Sequence, residues 1–167
     1  MEPQPRAMCR ANLSRGAHKM NATISLRITS IISLLLAAGH TLGGRSSWSP
    51  GGETLTLRAM RAFHMNVLGV SRSYHDFYIG FGYSLTVFML LQTVLLWMLA
   101  GLARTQPQTV RPFLVAFLVA TLASAVIAWE LLFPIPVAFL LAVAAGLAWS
   151  YYLARPGSTS QQPGAGT

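Results

Sequence analysis

Four ionisable residues stand apart in this 167-residue chain because each lies where an apolar run begins or ends: His40, His75, Asp76 and Glu130. Two imidazoles and two carboxylates are a donor set that a divalent metal accepts. They are equally a set from which a general acid and a general base can be drawn, here for a lipid-derived substrate. Threaded through four spans, the chain brings all four to the same outer end. An ionisable group costs about 2.5–3.5 kcal/mol at the centre of a membrane helix and less near the interface, so a cluster from distant segments marks a candidate catalytic site. The structural alternative stands beside it: span ends are where polar groups normally sit, and these four can cap helices or pair with Arg45 and Arg72. Asp76, Gly80 and Tyr83 share one helix face, so a carboxylate, a gap and a phenol would line one cleft, with Tyr83 as a ligand-binding candidate. Gln92, mid-span, is the second such candidate; it can instead hydrogen-bond a neighbouring helix, as can Thr86 and Thr93. Haem ligation by His40 and His75 has no support beyond the two imidazoles, and the sequence identifies no cofactor or metal.

The elements that must position these residues follow from one stretch, Tyr74 to Arg104. From Phe77 to Ala103 its only ionisable groups are two tyrosines. As a helix it is about 40 Å long, more than the ~30 Å hydrocarbon core of a bilayer. Hydrophobic residues make up 53% of the chain and charged ones 10%, too little charge to coat a water-soluble globule, where about 25% is usual. The net charge of +8 comes from residues in tails and short loops beside apolar runs, which is how orientation signals are distributed, so nucleic acid is not the expected partner. Cys9 is the single cysteine, which excludes an internal disulfide, dithiol redox chemistry and a cysteine-based zinc site.

Taken in order, residues 1–21 are polar, basic and proline-bearing and read as a disordered tail; translation can start at Met1 or at Met20. The first apolar run, Ile28 to Leu42, is short unless Ala22 to Leu26 join it and Arg27 snorkels to the headgroups. Its basic flank and Ala37-Ala38-Gly39 also fit a cleaved signal peptide, though an uncleaved helix keeps His40 with the polar group. The connection Gly43 to Ser73 contains Met60, Phe63, Val67 and Val70 at helical spacing, with Arg58 and Arg61 off that stripe. The spacing predicts an amphipathic helix over Glu53 to Val70, lying in the interface or folded as a lid. Thr105 to Thr109 is a turn and Pro112 opens the third run, where a missing N–H costs nothing. Trp129-Glu130 closes that run, and Pro134 and Pro136 mark the mouth of the fourth. The spans are therefore placed at about 22–42, 75–103, 112–129 and 131–153, with a second disordered tail over 155–167.

Eight cations lie on the side of the N-terminus (Arg6, Arg10, Arg15, Lys19, Arg27, Arg104, Arg111, Arg155) against four opposite (Arg45, Arg58, Arg61, Arg72), which predicts cytoplasmic termini. Ala116, Ala120, Ser124 and Ala128 recur every fourth residue in the third run, as do Ala138, Ala142, Gly146 and Ser150 in the fourth. Two such rows on consecutive helices predict that they pack on each other, or that one receives a helix from another protein.

Three segments, Gly39-His40-Thr41-Leu42-Gly43-Gly44, Tyr74 to Gly82 (YHDFYIGFG) and Trp129 to Pro136 (WELLFPIP), give the chain a further likeness. As a set it resembles a family of small uncharacterised bacterial four-helix integral membrane proteins, over roughly Ala22 to Ala154. The resemblance implies a membrane fold and carries no activity. More loosely, polar residues at one end of a small bundle look like the sterol-isomerase and sigma-receptor type of membrane domain, without a motif to align. The expected protein is an all-α, polytopic four-helix bundle whose outer loop carries an amphipathic helix, in a bacterial cytoplasmic membrane. Its expected partners are the lipid bilayer, other membrane subunits or a hydrophobic ligand. The first expectation for function is a non-enzymatic packing or binding module, an accessory subunit of a larger complex. The second is an isomerase or hydrolase acting on a lipid-like substrate.

Overall fold

The computed structural model describes residues 5–44, 49 and 51–155, with side chains from residue 21 onward. The elements are α1 (Pro5–Gly44), α2 (Leu55–Ala62), β1 (His64–Val67), β2 (Val70–Ser73), α3 (Tyr74–Thr105), α4 (Pro107–Leu131) and α5 (Pro134–Leu153). The protein is all-α apart from one short hairpin. Four stretches, Asn21–Gly44, Tyr74–Thr105, Pro107–Leu131 and Pro134–Leu153, are long and apolar enough to cross a membrane. Only 17% of the α3 span and 22% of the α4 span is buried within the chain. Phe81, Phe88, Val119 and Val126 consequently face outward, an exposure that water penalises and lipid does not.

The spans match the sequence expectation closely, and the differences lie at their edges. Helical backbone begins at Pro5, where a disordered tail was expected, with proline at its first position. Pro107 and not Pro112 opens α4; Pro112 lies inside it and removes the N–H that would have bonded the carbonyl of Gln108. The expected tail after Arg155, and the expected ion-pair partner Arg45, lie outside the described residues.

The expected amphipathic helix over Glu53 to Val70 is corrected by the structure. Helix α2 stops at Ala62, Phe63 is extended, and β1 and β2 form an antiparallel hairpin with Val67 opposite Val70 and Met65 opposite Arg72. Two residues close the turn, Leu68 and Gly69, both at positive φ (50° and 81°). Both central residues at positive φ define the tight hairpin turn whose twist matches that of the strands. An apolar pair three residues apart, Val67 and Val70, fits one helix face and equally a cross-strand pair about a two-residue turn, so spacing alone could not separate the two. Helix α2 itself is capped by Thr54, whose Oγ1 accepts from the Leu57 N–H at 3.2 Å. Glu53 pairs with Arg61 at 2.8 Å on its exposed side.

The chain divides into two compact units, one of Met1–Ser30 with Leu95–Thr167, the other of Ile31–Val94. In the first, α4 and α5 form a helical hairpin whose core includes Leu114, Ala125, Val143 and Leu147. The second holds the last third of α1, α2, the β-hairpin and the first two-thirds of α3.

Candidate functional site

Within the 31–94 unit, α1 meets α3 along a polar seam. The Thr93 hydroxyl lies 3.1 Å from Ser33 Oγ, and the Thr41 hydroxyl 3.3 Å from that of Thr86. His40 Nε2 lies 3.0 Å from the carbonyl oxygen of Gly82. A carbonyl only accepts, so His40 carries a proton on Nε2. Each threonine hydroxyl has a single proton, which it can give instead to its own helix, Thr41 to the Ala37 carbonyl, Thr86 to Gly82 and Thr93 to Met89. Such groups have no water to turn to at membrane depth, so they hold two helices in register. The seam belongs to a longer buried face of α1, Ala22, Leu26, Thr29, Ser33 and Leu36, which repeats at alternating intervals of four and three residues. That spacing was readable in the sequence beneath the overall hydrophobicity of the run.

At the start of α3, Ser73 and Asp76 cap the helix reciprocally. Asp76 Oδ2 accepts from the Ser73 N–H at 2.8 Å, and Ser73 Oγ accepts from the Asp76 N–H at 3.1 Å. This S-x-x-D arrangement answers two of the amide groups that a helix start leaves without partners. It was legible in Ser73-Tyr74-His75-Asp76, although the sequence reading placed Asp76 only as a site residue or an unspecified cap. His75, in the same turn, is half-buried, and its Nε2 is buried without a hydrogen-bond partner among the described residues. His40 is anchored at Gly82, about 10 Å further along the α3 axis than His75, so the two imidazoles occupy different levels of the helix.

Asp76, Gly80 and Tyr83 are all exposed, and a methyl group at Gly80 would meet nothing within 4 Å. Gln92 is half-buried and makes no hydrogen bond to a described residue, whereas Thr86 and Thr93 provide the polar contacts. Among the described residues, no group of three His, Cys, Asp or Glu side chains could hold a metal ion.

Glu130 belongs to the other unit, exposed at the penultimate position of α4. There the small-residue rows are arranged differently from expectation. Ala116, Ala120 and Ser124 are exposed; of that row only Ala128 is buried, and the other buried residues of α4 are Val110, Leu114, Thr121 and Ala125. On α5, Ala138 and Ala142 are exposed, while Gly146 and Ser150 meet α1. Ser150 Oγ lies 2.8 Å from Ser25 Oγ and 2.7 Å from the Gly146 carbonyl. A Cβ at Gly146 would collide with Oγ1 of Thr29, so glycine is what permits this approach. The rows therefore do not zip α4 to α5 along their whole length, and half of the α5 row serves α1.

A cavity of about 290 Å³ opens on the α4–α5 hairpin, lined by Leu122, Ala125, Val126, Trp129, Val137 and Leu141. Its wall is apolar and includes none of the sequence-predicted site residues. Three arginines of this unit stack over aromatic rings: Arg27 on Trp97 (5.1 Å), Arg111 on Tyr151 (4.2 Å) and Arg155 on Tyr152 (4.3 Å). Trp149 stacks on Tyr152 in turn. Rings holding cations toward the ends of apolar spans suit a membrane–water interface, where both parts find their preferred surroundings. No family model, curated protein or solved structure matches the chain.

Proposed function

We propose that this protein is a non-enzymatic membrane module that packs against other membrane components, as an accessory subunit of a larger complex in a bacterial cytoplasmic membrane with both termini cytoplasmic. The observation that carries this reading is the outward row Ala116, Ala120 and Ser124 on α4, which is exposed among the described residues. Lipid offers no hydrophobic drive for helices to associate, so rows of small residues that admit a close backbone are how a second helix is held. Two of the ionisable candidates are already engaged structurally, His40 between helices and Asp76 in a helix cap. The resemblance to small four-helix membrane proteins supports a membrane module and brings no activity with it.

One observation favours the second reading, an enzyme on a lipid-like substrate: the partnerless Nε2 of His75, beside Asp76 in the first turn of α3. An unpaired imidazole at that level is a group a substrate could meet. Purification of the tagged protein from its own membranes in mild detergent, followed by mass spectrometry, separates the two. A protein partner in fixed ratio, cross-linked through Ala120→Cys, is expected. A bound lipid, metal or quinone lost on His75→Ala and Asp76→Ala, with no protein partner, overturns the accessory reading in favour of the enzyme.

A further inference from the structure

The β-hairpin between α2 and α3 is built with two unlike faces. In the observed register Met65, Val67, Val70 and Arg72 project to one side and His64, Asn66, Ser71 and Ser73 to the other, because cross-strand partners share a face and neighbours alternate. On the first side Val67 is 49% and Val70 48% exposed, so little among the described residues covers them. The turn adds Leu68, which is 100% exposed and held at a φ of 50°. That left-handed conformation is one asparagine or glycine adopts readily and leucine rarely does. A bulky apolar side chain in a strained, wholly exposed turn calls for a reason outside the turn itself.

Strand β2 ends at Ser73 and α3 begins at Tyr74, so no linker separates the hairpin from the span. Four strand residues reach about 13 Å, and the headgroup region on each side of the hydrocarbon is about 5–8 Å deep, so a hairpin tilted toward the bilayer has the length to bring its turn into that layer. At the start of α3, directly after the hairpin in the chain, Phe77, Tyr78 and Phe81 are exposed as well. Phe63 stacks on Tyr74 at 5.2 Å, and the Tyr74 N–H bonds the Phe63 carbonyl, which ties the strand entrance to the helix start. Between Gly51 and Ser73 the chain carries Arg58, Arg61 and Arg72 against the single acid Glu53. Arg72 stands on the apolar face itself, where its stem can lie along Met65 while the guanidinium reaches phosphate.

We propose that this hairpin is an interfacial anchor: its Val67–Leu68–Val70 edge inserts among the headgroups and upper acyl chains of the bilayer, and Arg72 meets lipid phosphate. The occupant of the uncovered face is the lipid surface, because the hairpin joins an apolar span with no linker between them and carries the charge complementary to lipid phosphate. The inference does not depend on the accessory reading, since an enzyme or a packing module would be anchored alike.

The test uses the full chain with Cys9→Ser, reconstituted in vesicles of phosphatidylcholine and phosphatidylglycerol. An environment-sensitive fluorophore is placed at Val70→Cys on the apolar face or at Ser71→Cys on the polar face. The reporter at 70 is expected to be quenched by brominated lipid and shielded several-fold from aqueous iodide, with the reverse at 71. Leu68→Asn, which suits the turn geometry, should keep the hairpin formed and move the reporter at 70 toward water. Equal iodide access at 70 and 71 overturns the proposal. So does shielding at 70 that follows the protein-to-lipid ratio instead of the brominated lipid, which would assign the face to a second copy.

Discussion

Replacing Gly146 by alanine tests how α5 meets α1. The added methyl group would strike Oγ1 of Thr29 and lie 3.2 Å from both Cβ and Cγ2 of that residue, so either the helices part or Thr29 moves. Overpacking of this kind costs about 1–3 kcal/mol. Separation also weakens the contact between Ser150 and Ser25, now 2.8 Å, and interhelical hydrogen bonds in membranes average about 0.6 kcal/mol. Against these stands alanine's intrinsic advantage over glycine in a helix, about 1 kcal/mol. The balance is a net loss of about 1–2 kcal/mol. Thr29→Ala removes Oγ1 and Cγ2 and should relieve most of the clash, at the small cost of the local bond from Thr29 to the Ser25 carbonyl. The double variant should therefore recover most of the stability, with a coupling of about 1 kcal/mol or more. Unfolding in mixed detergent and dodecyl sulfate micelles, followed by circular dichroism, measures all four members of the cycle. A stabilised Gly146→Ala variant, or two substitutions whose effects simply add, would refute the close approach deduced here.

Two further outcomes follow from the 31–94 unit. His40→Phe keeps a ring but removes the donor to Gly82, and should cost about 0.6–1.7 kcal/mol in the same unfolding assay; unchanged stability would free His40 for a chemical role. Ser73→Ala and Asp76→Ala each remove one half of the cap at the start of α3, at about 1 kcal/mol, so amide exchange in that first turn should quicken about fivefold. Exchange that stays at the native rate would mean the reciprocal bonds contribute nothing to the helix start.

What was legible and what was not divide along physical lines. Phe77 to Ala103 is too long and too apolar to be anything but a span, because the bilayer tests only length and polarity. The pattern Met60, Phe63, Val67, Val70 was not decidable in the same way. Its spacing fits a helix face and a hairpin alike, and the choice rests on Phe63 becoming extended and on Leu68-Gly69 accepting positive φ. The Ser73-x-x-Asp76 cap was written in adjacent letters, and it needed only the boundary between β2 and α3 to be placed.

Rows of small residues could be counted in the sequence, but not their direction. Ala116, Ala120 and Ser124 turn outward while Gly146 and Ser150 close on α1, since the rotation of a helix about its axis is set by the whole of what it packs against. His40 shows the same limit. Its place at the end of an apolar run was evident, and whether it would be a site residue or a bond between helices depended on a backbone carbonyl 42 residues away. The sequence by itself determined the solvent, the number of spans and the distribution of charge, because these depend on composition over lengths comparable to the bilayer. Only the tertiary structure decided which polar atoms meet, because hydrogen bonds require particular groups within about 3 Å, and no local pattern encodes that distance.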